Sequence, residues 1–333
     1  IAGSDWSSDV CSSDLIGMDN RFNKSWYGDK AQLVDSDNDC VIIDYGCKGK
    51  GIITSYNLYD GITLCFLDFY TDEIMPSQKF NPDIISIVHC QAGRYECEFS
   101  NHQMFYLSEG YFSIMGTKHL PISFSFPLKK CYAFSLVIDK HALSADTQKI
   151  LNDFCLDMDK ISERLKLNKN GYLSHADFEL GHLFEEFYNA KDKESITYFR
   201  VKAIEFLYFI NKLSGNEETE FRYFNKKYIQ ITKDVCKYMT EHLEEKVSLE
   251  QLAYEKGINL SLLYKVFAQV YGDTPYSYIK KYKMNIASNE LRNSKRKIND
   301  IALSLGYSNA SKFSIAFQSV YGILPKDYRK AEN

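Results

Sequence analysis

Ten side chains in the last third of the chain have the types and spacing to read the edges of base pairs. Ser261, Leu262, Tyr264, Lys265 and Gln269 fall outward on one short helical segment, and Ala310, Ser311, Lys312, Ser314 and Gln318 on another. Hydroxyls, amides and an ammonium group carried on a helix are the donors and acceptors that pair with base edges and phosphates in a major groove. The opposite sides are apolar: Leu263, Val266, Phe267 and Val270 in the first segment, Phe313, Phe317 and Val320 in the second. An ordinary helical hairpin has the same amphipathic pattern, so one copy alone decides little.

Other chemistry finds no constellation. There is no Gly-x-Ser-x-Gly elbow, phosphate loop or His-Glu-x-x-His helix, and no catalytic residues are expected. His89, His102 and His119 are scattered, with no His-x-His pair, so neither a metal nor another cofactor is expected. The nine cysteines include no Cys-x-x-Cys; Cys40 with Cys47, and Cys90 with Cys97, lie seven apart. An odd count without a secretory signal predicts reduced thiols and a cytoplasmic protein, with a redox-sensing thiol as the minor alternative. No apolar run approaches the length of about 18–20 residues that spans a membrane.

The elements that position the ten side chains occur twice. Leu249-Glu250-Gln251-Leu252-Ala253 with Gly257 returns as Ile298-Asn299-Asp300-Ile301-Ala302 with Gly306, at an offset of 49 residues. Beyond the glycine the offset becomes 50: Leu263 matches Phe313, Phe267 matches Phe317, Tyr271-Gly272 matches Tyr321-Gly322, Pro275 matches Pro325 and Tyr278 matches Tyr328. The extra residue falls in the turn after Gly306. In the first copy Ser248 and Gln251 fit a capping box, and Gly257 supplies the left-handed residue that ends the helix. Two copies in register predict a tandem helix-turn-helix module.

Thr274-Pro275 reads as an N-cap and first helical residue, opening a connector helix to about Asn293, with Ile279, Tyr282, Ile286 and Leu291 among its packing residues. Its 19 residues span roughly 28 Å, close to the roughly 34 Å between major-groove faces one turn apart.

Residues from about Tyr228 to Lys330 resemble the paired helix-turn-helix domain of the AraC/XylS family of bacterial transcription regulators. The resemblance rests on Ser248 to Ala253 with Gly257, on Leu263, Phe267 and Gly272 to Pro275, and on Tyr278-Ile279 and Ala287. It continues through Ile301-Ala302, Gly306-Tyr307, Phe313, Phe317, Gly322, Pro325 and Tyr328-Arg329. Lys283 stands where the family commonly has arginine, and Tyr307 where it has phenylalanine. The resemblance implies double-stranded DNA as partner, RNA polymerase as a second partner if the protein activates, and often a homodimer.

The charge is divided accordingly. Residues 225–333 carry 15 lysines and 3 arginines against 4 aspartates and 7 glutamates, a net +7, which leaves −11 on the remainder of a chain of net −4. A basic terminal domain on an acidic body is the footprint of nucleic-acid binding by one part only. Lys280, Lys281, Lys283, Arg292, Lys295, Arg296 and Lys297 cluster on and after the connector, where several are expected to meet phosphate.

The remaining sequence predicts a sensor. Residues 1–17 are rich in Ser and Asp, resemble translated adaptor sequence and are set aside as a non-native tail, with Met18 the expected start. Residues 18–140 are expected to form a β-rich, cupin-like barrel: Cys40–Asp44, Ile62–Tyr70, Ile84–Cys90 and Phe134–Ile138 read as strands, and Ser108 to Phe112 as a turn between two more. Tyr95, Phe99, Phe105, Tyr106 and Phe112 are candidates for a pocket or for ordinary core. Residues 141–213 read as helical, the stretch 195–213 being apolar on most sides and expected to pair two subunits through residues such as Leu207, or else to pack on its own barrel. Residues 214–224 read as a linker.

The expected architecture is therefore multi-domain: a cupin-like barrel with helices, then an all-α domain whose two helix-turn-helix units are joined by a long helix. The expected function is that of a sequence-specific, non-enzymatic DNA-binding regulator responding to a small-molecule effector. Two alternatives stand beside it: an atypical or metal-independent cupin enzyme with an accessory DNA-binding domain, and a regulator controlled by a protein partner.

Overall fold

In a computed structural model of the chain, the described residues are 21–22, 27–76, 83–116, 121–167, 171–176, 178–214, 224–245 and 247–331. The tail at 1–17, Met18, His119 and most of the 214–224 linker lie outside them. The chain divides into two compact units, residues 1–223 and 224–333.

The first unit is built on antiparallel strands rich in Ile, Phe, Tyr and Val, which suit a pleated, buried surface. β1 (Gln32–Ser36), β2 (Val41–Asp44), β3 (Lys50–Tyr59) and β4 (Ile62–Tyr70) follow one another as neighbours. The short β5 (Met75–Pro76) precedes β6 (Ile84–Glu98), whose 15 residues belong to two sheets. The first half of β6 lies between β10 (Lys130–Asp139) and β8 (Tyr111–Gly116). Its second half lies between β7 (Gln103–Ser108) and β9 (Ser123–Ser125), which in turn pairs with β5. A bulge opposite Tyr132/Ala133 marks the change, and the two sheets sharing one strand form a half-barrel. The expected turn at Ser108 to Phe112 joins β7 to β8.

Alternation along these strands divides the side chains between two cores. Tyr56, Leu64, Phe66, Ile87, Phe134 and Leu136 face one way, towards α1 (Ala145–Asp153), α2 (Met158–Arg164), α3 (Phe178–Ala190) and α4 (Ile196–Ile210). Ile53, Cys65, Phe69, Cys90, Phe105 and Ala133 face the other way, into the barrel. Strands with both faces covered read as nearly continuous apolar runs, as these do.

Two sequence expectations change here. The stretch 141–213 is not a separate helical region, since Tyr172–His175 forms β11, which pairs with β8, and the helices share one core with the sheet. Nor does Leu207 face a partner. It is 1% exposed, and α4 buries Phe199, Ala203, Phe206, Leu207 and Ile210 against its own sheet. A helix apolar on most sides does not announce which side packs; the residues of α4 left in solvent are Thr197, Arg200, Val201 and Tyr208.

The second unit is helical. α5 (Lys226–Glu241) is followed by α6 (Leu249–Glu255), α7 (Leu260–Tyr271), α8 (Pro275–Asn293), α9 (Ile298–Ser304), α10 (Ala310–Tyr321) and α11 (Pro325–Ala331). α8 has the predicted bounds, with the Thr274 side chain accepting from the Ser277 N–H at 3.3 Å. The unit has two cores. Val235, Met239, Leu249, Leu252 and Leu263 form the first, and Met284, Ala287, Leu291, Ile301, Phe313 and Phe317 the second. α8 serves both: Ile279 packs on the first, Ile286 and Leu291 on the second. Tyr282, expected to pack, is 37% exposed.

Candidate nucleic-acid interface

The internal repeat of the sequence is a repeat in space. α6 and α9 have seven residues each, α7 and α10 have twelve, and the turn between them is one residue longer in the second pair. Both turns close alike: Gly257 N–H donates to the Tyr254 carbonyl and Ile258 N–H to that of Ala253, as Gly306 does to Leu303 and Tyr307 to Ala302. Asn259 and Asn309 then cap the second helices, accepting from Ser261 and Leu262 in one and from Lys312 in the other. The capping box at Ser248 is half made, because the Gln251 amide bonds Glu255 instead.

An aromatic triad holds each second helix to the helix that follows it. Phe267, Tyr271 and Tyr278 have centroids 4.7, 5.7 and 4.9 Å apart; Phe317, Tyr321 and Tyr328 repeat the arrangement at 4.7, 5.3 and 5.2 Å. Such pairs add about 0.5–1.5 kcal/mol each beyond burial, so both helices are rigidly presented.

On the face that each helix leaves uncovered the structure separates the candidates. Ser261 and Lys265 are exposed on α7, and Gln269 is half-exposed. Leu262 and Tyr264 were expected outward but are half-buried against the first core, which leaves only their edges to a ligand; burial raises the Tyr264 pKa. On α10, Ser311, Lys312 and Gln318 are exposed and Ala310 is half-exposed, as is Ser314, whose hydroxyl donates to the Ala310 carbonyl at 2.8 Å. Ile315, 70% exposed, was not among the ten. It occupies the position of Lys265 in the repeat, so the two helices present different chemistry from one scaffold.

The basic cluster sorts likewise. Lys281 is paired with Asp273 at 2.8 Å and Arg296 with Glu290 at 3.3 Å. Arg292 lies 5.2 Å from the Tyr328 ring centre. Lys283 is half-buried, 5.8 Å from the Tyr307 ring centre, and desolvation lowers its pKa. Lys280, Lys295 and Lys297 are exposed and make no ion pair with a described residue, which leaves them open to phosphate.

Residues 252–331 match a family model described as a helix-turn-helix domain. The regulatory protein SoxS of Escherichia coli K12 is 31% identical over 100 residues, 30% of this chain and 94% of SoxS. The chain belongs to the AraC-type family of DNA-binding transcription regulators. A putative AraC-like transcription regulator of Streptomyces lividans is 32% identical over 83 residues, 25% of this chain and 27% of its own. Among solved structures, the C-terminal domain of AraT, a response regulator from Geobacillus stearothermophilus, aligns at 25% identity and a TM-score of 0.29 over 30% of this chain and 84% of that one. The AraC-type region is thus the second unit, and these relatives say nothing of the half-barrel.

The histidines serve elsewhere. His89 is buried, its ring stacked on Phe184 at 3.9 Å, and burial, helped by the His175 charge, lowers its pKa to about 4. The Tyr188 hydroxyl donates to the His89 carbonyl, so the contact of 3.1 Å between the hydroxyl oxygen and His89 Nδ1 requires the imidazole to donate there. His102 is exposed, 3.8 Å from Glu98. No group of three or more potential metal ligands lies among the described residues, and no helix there is long and apolar enough to cross a membrane.

Proposed function

We propose that the AraC-type unit reads DNA as two helix-turn-helix modules, α6–α7 and α9–α10, entering successive major-groove segments on one face of the duplex. The repeated aromatic triad carries this reading: it fixes each second helix alike on the helix that follows it, α7 on α8 and α10 on α11, while their outer faces differ. α7, with Lys265, Ser261 and Gln269, supplies most base discrimination. α10, whose Ser314 hydroxyl is engaged by its own backbone, leans on Lys312 and on phosphate contacts. The site read is asymmetric.

The first unit acts in this proposal as a cupin-like sensor for a small molecule, in a cytoplasmic homodimer that docks through the outward stripe of α4. A partly enclosed cavity inside the half-barrel supports the first part, and Val201 at 63% and Tyr208 at 46% exposure support the second. RNA polymerase is a further partner if the protein activates. Footprinting of the whole chain on selected operator DNA tests the DNA reading: two protected segments about 10 base pairs apart are expected, and protection confined to one segment overturns it.

A further inference from the structure

The inner wall of the half-barrel has a row of small side chains where a close-packed core would have large ones. Cross-strand pairing places Ser113 of β8 opposite Val88 of β6, Val88 opposite Ser135 of β10, Ser135 opposite Cys65 of β4, and Cys65 opposite Ser55 of β3. Ser113, Val88, Ser135 and Cys65 of this row, with the aromatic side chains of Tyr45, Phe69, Tyr95, Phe105 and Phe124, line a cavity of about 110 Å³. The row runs across five strands, so no single neighbour can collapse into the space.

Its chemistry is specific. No described lining residue is charged. The Cys65 thiol donates to the Ser55 hydroxyl at 3.5 Å, and the Tyr45 hydroxyl to the Pro76 carbonyl at 2.9 Å, so those groups are engaged. Burial raises the Cys65 and Cys97 pKa values, and both remain neutral thiols. The Ser113 and Ser135 hydroxyls, in residues 2% and 8% exposed, line the cavity and make no hydrogen bond to another described residue. Both hydroxyls open onto the cavity, so a ligand there can bond them in place of water.

We propose that this cavity binds a small uncharged molecule, a single aromatic ring or alkyl body bearing one hydroxyl or carbonyl, with Ser135, in the middle of the row, meeting its polar atom. Size sets one limit: an apolar cavity of about 150 Å³ holds benzene, so the present one takes a single ring with slight adjustment of its walls. Charge sets the other, because a carboxylate here would be buried without a cation among the described lining residues. The inference rests on the sensor reading of the first unit and gives that sensor its ligand class.

Thermal unfolding of the full chain without DNA tests it, with phenol, toluene and benzoate as probes. Phenol is expected to raise the melting temperature with concentration, by about 5 °C at roughly 100 times its Kd, and benzoate to leave it unchanged. Ser135→Ala is expected to weaken phenol about fivefold while toluene is unaffected, since one hydrogen bond is lost. Val88→Phe, which fills the space, is expected to abolish both responses; if that variant does not fold, the Ser135→Ala contrast decides alone. Benzoate binding as tightly as phenol, or no response to phenol or toluene, overturns the proposal. Binding that follows this pattern but leaves operator affinity unchanged supports the site and refutes the sensor reading, so the two fail separately.

Discussion

A β-carbon placed on Gly306 would stand 2.5 Å from the carbonyl oxygen of Leu243, whereas one placed on Gly257 would meet nothing within 4 Å. Both glycines have left-handed φ, 74° and 65°. They occupy the same position in the repeat, yet the segment after α5 runs beneath only the second turn, and Leu243 packs on the second core. α5 thus ties its own core to the second helix pair, independently of α8.

Gly257→Ala should therefore destabilise the AraC-type unit by about 1 kcal/mol, the cost of a side chain at positive φ. Gly306→Ala should cost about 3 kcal/mol, because the backbone at Leu243 must move as well. Urea unfolding of the two variants checks this, and equal costs would show that the Leu243 contact is not rigid.

Lys265→Ala should weaken operator binding by about 1–3 kcal/mol if the ammonium reads a guanine, with the loss confined to one base position. Lys312→Ala should weaken all sequences alike and make the salt dependence of binding shallower by about one counterion, as a phosphate contact does. Titrations at several salt concentrations on substituted sites separate the two; the opposite pattern would reverse the division of labour between α7 and α10.

Leu207→Asp should unfold the first unit, costing more than about 3 kcal/mol, since it puts an unpaired charge where the side chain is 1% exposed. Val201→Glu changes a side chain already in solvent and should preserve the fold. If α4 pairs subunits, Val201→Glu should turn a dimer into a monomer in sedimentation. A wild-type monomer at micromolar concentration would end the dimer proposal.

His89 should make the first unit sensitive to mild acid. The unfolded imidazole takes up a proton near its ordinary 6.5, the folded one only near about 4, so between those values the unfolded state binds more protons. Stability is full above pH 6.5, falls as pH drops from 6.5 to about 4, and loses about 3 kcal/mol over that window. His89→Gln should remove most of that slope in pH-dependent thermal unfolding. An unchanged slope would place the acid sensitivity elsewhere.

The AraC-type unit was legible because its order is local. Helical periodicity, Ser248 and Thr274 as caps, and Gly257 and Gly306 as stops all act within a few residues. The double occurrence of Phe267-Tyr271-Tyr278 as Phe317-Tyr321-Tyr328 exposed the duplication without any tertiary contact. Strands such as Ile62–Tyr70 were legible for the same reason, from their β-branched and aromatic runs. Burial within a helix was harder to read: Tyr264 and Leu262 look outward by spacing from Phe267, yet neighbours from other helices cover them.

What only the tertiary structure decided depends on pairing between distant residues. Leu207 and Tyr208 are adjacent and both apolar, and only the sheet beneath α4 determines that one is core and the other surface. Ser55, Cys65, Val88, Ser113 and Ser135 are unremarkable where each stands in the chain. Antiparallel register brings them into one row, and a single-residue slip would turn each slipped strand's side chain to the opposite face. The presence of a DNA-binding module follows from short-range periodicity, while the cavity exists only through long-range strand pairing.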